Sequence, residues 1–169
     1  MARHEPSRPS NAPYEGSALI ADPIHKYVSF TVPTSQAETY ERTEKDLIDS
    51  PWVQRLRQIY QLQSARWVYP SAEHTRFVHS IGTMHVAGRF ARHLHPFLVK
   101  AAPDVPSANY VEEFLRVTAL VHDIGHGPFC HFFDDNHLHA LDTSHEKLGQ
   151  LIIRDHLGPV IRKIRRSPS

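Results

Sequence analysis

The sequence predicts a mostly α-helical domain, a bundle of helices with a minor β-hairpin at its N-terminal side. Two observations carry this. From about residue 38 onward the apolar residues recur at helical spacing. Strand-like alternation is confined to one short run, Tyr27-Val28-Ser29-Phe30-Thr31-Val32, which follows a turn at Ala21-Asp22-Pro23-Ile24-His25. A length of 169 residues suits one domain large enough to bury a core.

The elements follow in order. Residues 1–17, rich in Pro, Ser and Asn, read as a disordered lead-in. A short helix is expected around 44–48. Ser50-Pro51 then pairs a capping residue with a proline at the first helical position, and Trp52, Val53, Leu56, Ile59, Tyr60 and Leu62 mark one face of the helix it starts. Residues 64–76 read as loop. A long helix is expected over about 77–99, ending at Ala102-Pro103-Asp104-Val105-Pro106. Another spans about 109–124, with Val111, Phe114, Leu115, Thr118 and Leu120 or Val121 towards the core, and Gly125, Gly127 and Pro128 break it. A helical turn follows around 129–134. Thr143 and Glu146 form a capping box for the last helix, which Gly158-Pro159 ends. The domain proper is placed at 18–160, with 161–169 a basic tail.

Composition narrows the function classes. The net charge is +1, which marks neither a nucleic-acid coat nor a membrane surface. No apolar run is long enough to span a bilayer, and residues 1–16 lack the apolar stretch of a secretory signal. The single cysteine, Cys130, suits a reducing compartment, so a cytoplasmic location is expected. Fourteen histidines are the exception to an otherwise ordinary composition, and they point to metal binding or proton transfer.

Their positions carry the chemistry. In Ala119-Leu120-Val121-His122-Asp123-Ile124-Gly125-His126-Gly127-Pro128-Phe129 an apolar helix ends in adjacent His and Asp. A buried carboxylate beside an imidazole is costly unless a cation compensates, and this donor pair suits Fe, Mn, Co, Zn or Mg. In a second block, His74-Thr75-Arg76-Phe77-Val78-His79-Ser80-Ile81-Gly82, His79 stands at the start of the long helix, where it could face His122 and Asp123. Arg76 lies three residues earlier, and its guanidinium is a natural clamp for phosphate oxygens.

These blocks resemble the HD superfamily of metal-dependent phosphohydrolases, in particular its dNTP triphosphohydrolase branch, with dGTPase-like and SAM-and-HD-domain members. The resemblance runs in order through Asp49-Ser50-Pro51-Trp52-Val53-Gln54-Arg55-Leu56-Arg57, Gln61-Leu62, Arg76 to Gly82, His122 to His131 and Ser144-His145-Glu146, over roughly residues 20–157. It implies an HD-domain helical bundle. His79, His122 and Asp123 match three of four ligands to a divalent metal ion. His126, His131 and His145 match active-site histidines that contact phosphates or protonate the leaving group. Arg76 matches a substrate-phosphate contact, Gln61 a residue near the nucleotide sugar, and Asp49 and Arg57 positions that bind a regulatory nucleotide in some relatives.

The implied activity is hydrolysis of a deoxynucleoside triphosphate to deoxynucleoside and triphosphate; a homo-oligomer is expected separately, from apolar surface left without covering helices. The family takes its fourth metal ligand from an Asp on a later helix. Ser169 follows Asp123 by only 46 residues and Asp155 matches no motif, so the domain is expected to be incomplete on its C-terminal side. Two alternatives stay open: a nucleotide-binding or regulatory module without turnover, and an HD phosphodiesterase acting on another nucleotide.

Overall fold

The computed structural model describes residues 16–34 and 41–164. Most of the lead-in and the end of the basic tail therefore lie outside the described residues. The hairpin is present as β1 (Ser17–Asp22) and β2 (Lys26–Thr31), antiparallel, with Ser17 opposite Thr31 and Asp22 opposite Lys26. Asp22 Oδ1 shapes its turn by accepting from the backbone N–H groups of Ile24 (2.9 Å) and His25 (2.7 Å).

Helices make up the rest: α1 (Glu44–Ile48), α2 (Pro51–Gln54), α3 (Arg76–Ala101), α4 (Ala108–Val121), α5 (His131–Phe133), α6 (His145–Ile152) and α7 (Gly158–Ile161). The long α3 and α4 pack along each other and form the body of the bundle. One core joins Val28, Leu47, Val53, Leu56, Phe77, Ile81, Met84, Leu120, Ile124 and Leu157. The fold is mostly α with one hairpin, as the sequence predicts. No helix of the described residues is long and apolar enough to cross a membrane.

Four details differ from expectation. The helix opened by Ser50-Pro51 leaves α geometry after Gln54, tightens into a 3-10 turn over Arg55–Gln58 and is extended at Ile59. There the backbone pairs with the segment before α3: Arg76 N–H donates to Ile59 O (2.8 Å) and Gln61 N–H to His74 O (3.1 Å). Second, α4 buries Glu112, Arg116, Val117, Leu120 and Val121, while Phe114 is 58% exposed. Two charged residues take the inward positions because each has a partner, Arg92 for Glu112 and Glu44 for Arg116. Third, Ser144, not Thr143, caps α6; its hydroxyl accepts from Lys147 N–H, so Glu146 is no capping-box partner. Fourth, Gly158-Pro159 does not end the last helix. Ile153–Leu157 widens into a π turn and α7 continues, since proline is tolerated in a first turn.

Candidate metal centre and active site

His79 lies in the first turn of α3, whose N-terminus is capped by the Thr75 hydroxyl accepting from Val78 N–H. His122 and Asp123 follow the last residue of α4, where the helix gives way to the turn 122–125. The α3–α4 packing brings the two ends together. His79 Nε2 and His122 Nε2 are 3.3 Å apart, His122 Nε2 is 3.3 Å from Asp123 Oδ1, and His79 Nε2 is 3.6 Å from Asp123 Oδ2.

The ring of His122 is fixed from behind: its Nδ1 is 2.7 Å from Ala119 O, so Nδ1–H donates and Nε2 keeps its lone pair. Two imidazole Nε2 atoms and a carboxylate thus lie around one point, and with both rings neutral and their lone pairs turned inward they would hold a cation there. His79 is held below the ordinary imidazole range, chiefly by burial, with Asp123 opposing; the neutral ring is the ligating form. The donor set fits a divalent transition metal.

Arg76 is buried at the base of α3, and its guanidinium forms an ion pair with Asp123 and donates from Nε to Cys130 Sγ (3.0 Å). Beyond Asp123 stands a second group. The His126 and His145 rings stack at 3.8 Å with planes 15° apart, and His131 meets both edge-on at 5.0 and 5.1 Å. His145 Nδ1 hydrogen-bonds Asp134 Oδ2, and His126 Nε2 lies 3.6 Å from Asp123 Oδ1, joining the two groups.

His126, Asp134 and His145 also offer three donors within 4.8 Å of one another. The stack decides against a metal there: imidazole lone pairs lie in the ring plane, and nearly parallel planes 3.8 Å apart do not meet at one ion. Proton transfer and anion contact remain. His126 Nδ1 and Asp134 Oδ1 are buried without a hydrogen-bond partner, a further sign that the group is built to meet a ligand.

The turn between the groups needs glycine. A Cβ at Gly125 would strike the His145 carbonyl oxygen and come within 2.5 Å of Gly149 N, so its absence lets α6 approach and sets His145 in place. Arg55 pins the same turn, donating to the carbonyls of His126 (2.8 Å) and Ile124.

The eight expected site residues are therefore placed unequally. His79, His122 and Asp123 converge, Arg76 touches Asp123, and His126 and His145 stack. His131 is at the rim, 63% exposed, with Nδ1 4.0 Å from Asp134 Oδ2. Gln61 neighbours Arg76 through the Tyr60–Thr75 bridge, but its amide oxygen is buried without a partner. Asp49 pairs with Lys45, while Arg57 donates to Gln54 and lies 3.7 Å above the Phe77 ring, so local contacts occupy both.

The reading of the residues missed Asp134 and Arg55. Asp134 adjoins Asp135, and nothing local says which of the two turns inward. Arg55 and Arg57 flank Leu56 symmetrically, so the sequence leaves their directions equally open.

A profile of the HD domain family matches residues 76–166. The chain belongs to the HD domain family. Among curated HD relatives, it is 33% identical over 143 residues to deoxynucleoside triphosphate triphosphohydrolase SAMHD1 of Bos taurus, covering 82% of this chain and 22% of that protein. Uncharacterized protein MJ1154 of Methanocaldococcus jannaschii is 39% identical over 136 residues, covering 80% of this chain and 24% of its own length. The SAMHD1 homolog of Dictyostelium discoideum is 38% identical over 89 residues, 53% of this chain and 16% of that protein. This HD chain thus spans less than a quarter of the length of these relatives.

The buried histidines of this HD domain give stability a pH dependence. Burial, then Arg76 and His145, push His126 down to about 4. An unfolded chain takes up this proton near pH 6.5, the folded one only near 4. Between those values the unfolded state binds more protons, so stability falls as the pH falls from about 6.5 towards 4. Urea denaturation of chelated protein at pH 7.5, 6 and 5 should show that loss, reduced in His126→Asn. A flat profile would contradict a neutral, buried His126.

Proposed function

We propose that this chain is a metal-dependent phosphohydrolase that cleaves deoxynucleoside triphosphates to deoxynucleoside and triphosphate. The observation that carries the reading is the contact between a three-donor metal group and a phosphate-type clamp: Asp123 is shared by His79, His122 and Arg76, with stacked histidines 3.6 Å beyond. The relatives named for triphosphohydrolase activity support the substrate class.

His79, His122 and Asp123 would hold the divalent ion, which when bound polarises a phosphoryl oxygen and lowers the pKa of water. Arg76 meets the charge that develops on the α-phosphate oxygens. His126, kept neutral, contacts phosphate without competing for the metal's charge. As water adds to the α-phosphorus and the bond to the 5′ oxygen breaks, that oxygen needs a proton. His145, oriented by Asp134 at Nδ1–H, would supply it from Nε2, and the proton lost by the attacking water passes to solvent and restores His145. His131 at the rim would contact the phosphates, and Gln61 beside Arg76 the nucleotide sugar.

One observation favours a second reading. Among the described residues the metal group has three protein donors, and Asp155 is exposed and paired with Arg154. In that reading the chain binds nucleotide phosphates through Arg76 and the histidines without turning the nucleotide over. Exposed Phe90, Phe97, Tyr110 and Phe114 on α3 and α4 suit self-association in either case.

The test is incubation of manganese- or iron-supplemented protein with each dNTP and separation of the products. Release of intact triphosphate with free deoxynucleoside is expected. Calorimetric nucleotide binding with no product under either metal would favour the second reading, and release of pyrophosphate or orthophosphate would exclude the proposed cleavage.

A further inference from the structure

Arg76 is 3% exposed, yet the proposed reaction asks it to present hydrogens to a phosphate. A buried guanidinium does this only if its plane is fixed, because its side chain otherwise has several rotamers. Two bonds fix it. One nitrogen pairs with Asp123, and Nε donates to Cys130 Sγ at 3.0 Å. The sulfur is itself held, since its S–H donates to Tyr60 O at 3.3 Å, which turns a sulfur lone pair towards Arg76.

Cys130 is fully buried and stands on unusual backbone: φ is +58° at Phe129 and +51° at Cys130, a region that side chains rarely occupy. The bend is anchored by Cys130 N–H donating to Gly127 O (3.2 Å) and Cys130 O accepting from Phe133 N–H (2.9 Å). Cys130 thus stands between the turn that carries His126 and the helix that carries His131, with its side chain on Arg76.

We propose that Cys130 is a positioning residue, whose thiol accepts from Arg76 Nε and donates to Tyr60 O to fix the guanidinium for phosphate binding. This rests on the reading of Arg76 as the phosphate contact. A thiol does the task because it donates and accepts at once, and a hydroxyl shares that property while a methyl group does not.

Two measurements test it, one independent of activity. In NMR of the 15N-labelled chain, the Arg76 Nε–H should exchange slowly with water in the wild type and in Cys130→Ser, and quickly in Cys130→Ala. Rapid exchange in the wild type alone would overturn the proposal, even if Cys130→Ala failed to fold. The second is calorimetric binding of inorganic tripolyphosphate at equal metal content. Cys130→Ala should weaken binding about tenfold, as loss of a bond to a charged group does, and Cys130→Ser by less than about threefold. In an Arg76→Ala background Cys130→Ala should cost nothing further. A cost that persists there would mark a packing role and reject the inference. If the wild type binds no tripolyphosphate while its Nε–H stays protected, the functional reading fails and the contact between Cys130 and Arg76 stands.

Discussion

In the proposed cleavage, replacing Asp134 by asparagine should lower product release by roughly two to four orders of magnitude, the range expected for losing a general acid's support, while leaving bound metal unchanged. Asp134 Oδ2 accepts from His145 Nδ1–H and so holds the ring's orientation and tautomer. Asparagine keeps the volume but lacks the carboxylate that accepts from Nδ1–H and orients the ring, and Glu146, 3.1 Å from Nε2, does not replace that contact. His145→Asn should cost about as much, and the double variant little more, because the pair acts as a unit. Wild-type turnover in Asp134→Asn would show that the leaving oxygen takes its proton elsewhere.

The largest effect on stability is expected far from the site. Arg116, 2% exposed, donates to Glu44, 1% exposed, from Nε (2.5 Å) and Nη2 (2.8 Å), and Nη2 also reaches Ser29 O (2.8 Å). Glu44 Oε2 in turn accepts from Thr31 N–H (2.9 Å), and Glu44 N–H donates to Thr31 Oγ1 (2.9 Å). The pair therefore ties β2, α1 and α4 in one network. Removing one partner strands the other charge in the core, so Glu44→Ala or Arg116→Ala should each cost about 3–5 kcal/mol in urea denaturation. The double replacement Glu44→Leu/Arg116→Met should cost less than either single change, because no charge is left unpaired. A single-variant loss under about 1 kcal/mol would mean that water reaches the pair.

That pair also shows where the sequence stops being legible. The α4 pattern could be read as an apolar face through Val111, Phe114 and Thr118, because a local reading treats Arg116 as outward-facing. Only Glu44, 72 residues away, makes the inward position tolerable. The break after Gln54 has the same kind of cause: apolar spacing continues through Ile59, but backbone pairing with His74 and Arg76 pulls the chain straight. Where local chemistry dominates, the reading succeeds. Ser50-Pro51 caps a helix as expected, the alternating run at Tyr27 forms a strand, and His122-Asp123 ends α4. The convergence of His79 with His122-Asp123 was expected from the ordered motifs, whereas the His126–His145 stack and the Asp134 contact depend on α6 folding back over Gly125.

In the proposed site His79, His122 and Asp123 bind a divalent ion and the stacked histidines do not. Elemental analysis and competition titration with manganese test it directly, on the wild type, His122→Ala and Asp134→Asn. One ion per chain is expected in the wild type and in Asp134→Asn, with affinity weaker by roughly a hundredfold or more in His122→Ala. Equal affinity in the wild type and His122→Ala, or loss of the ion in Asp134→Asn alone, would contradict it.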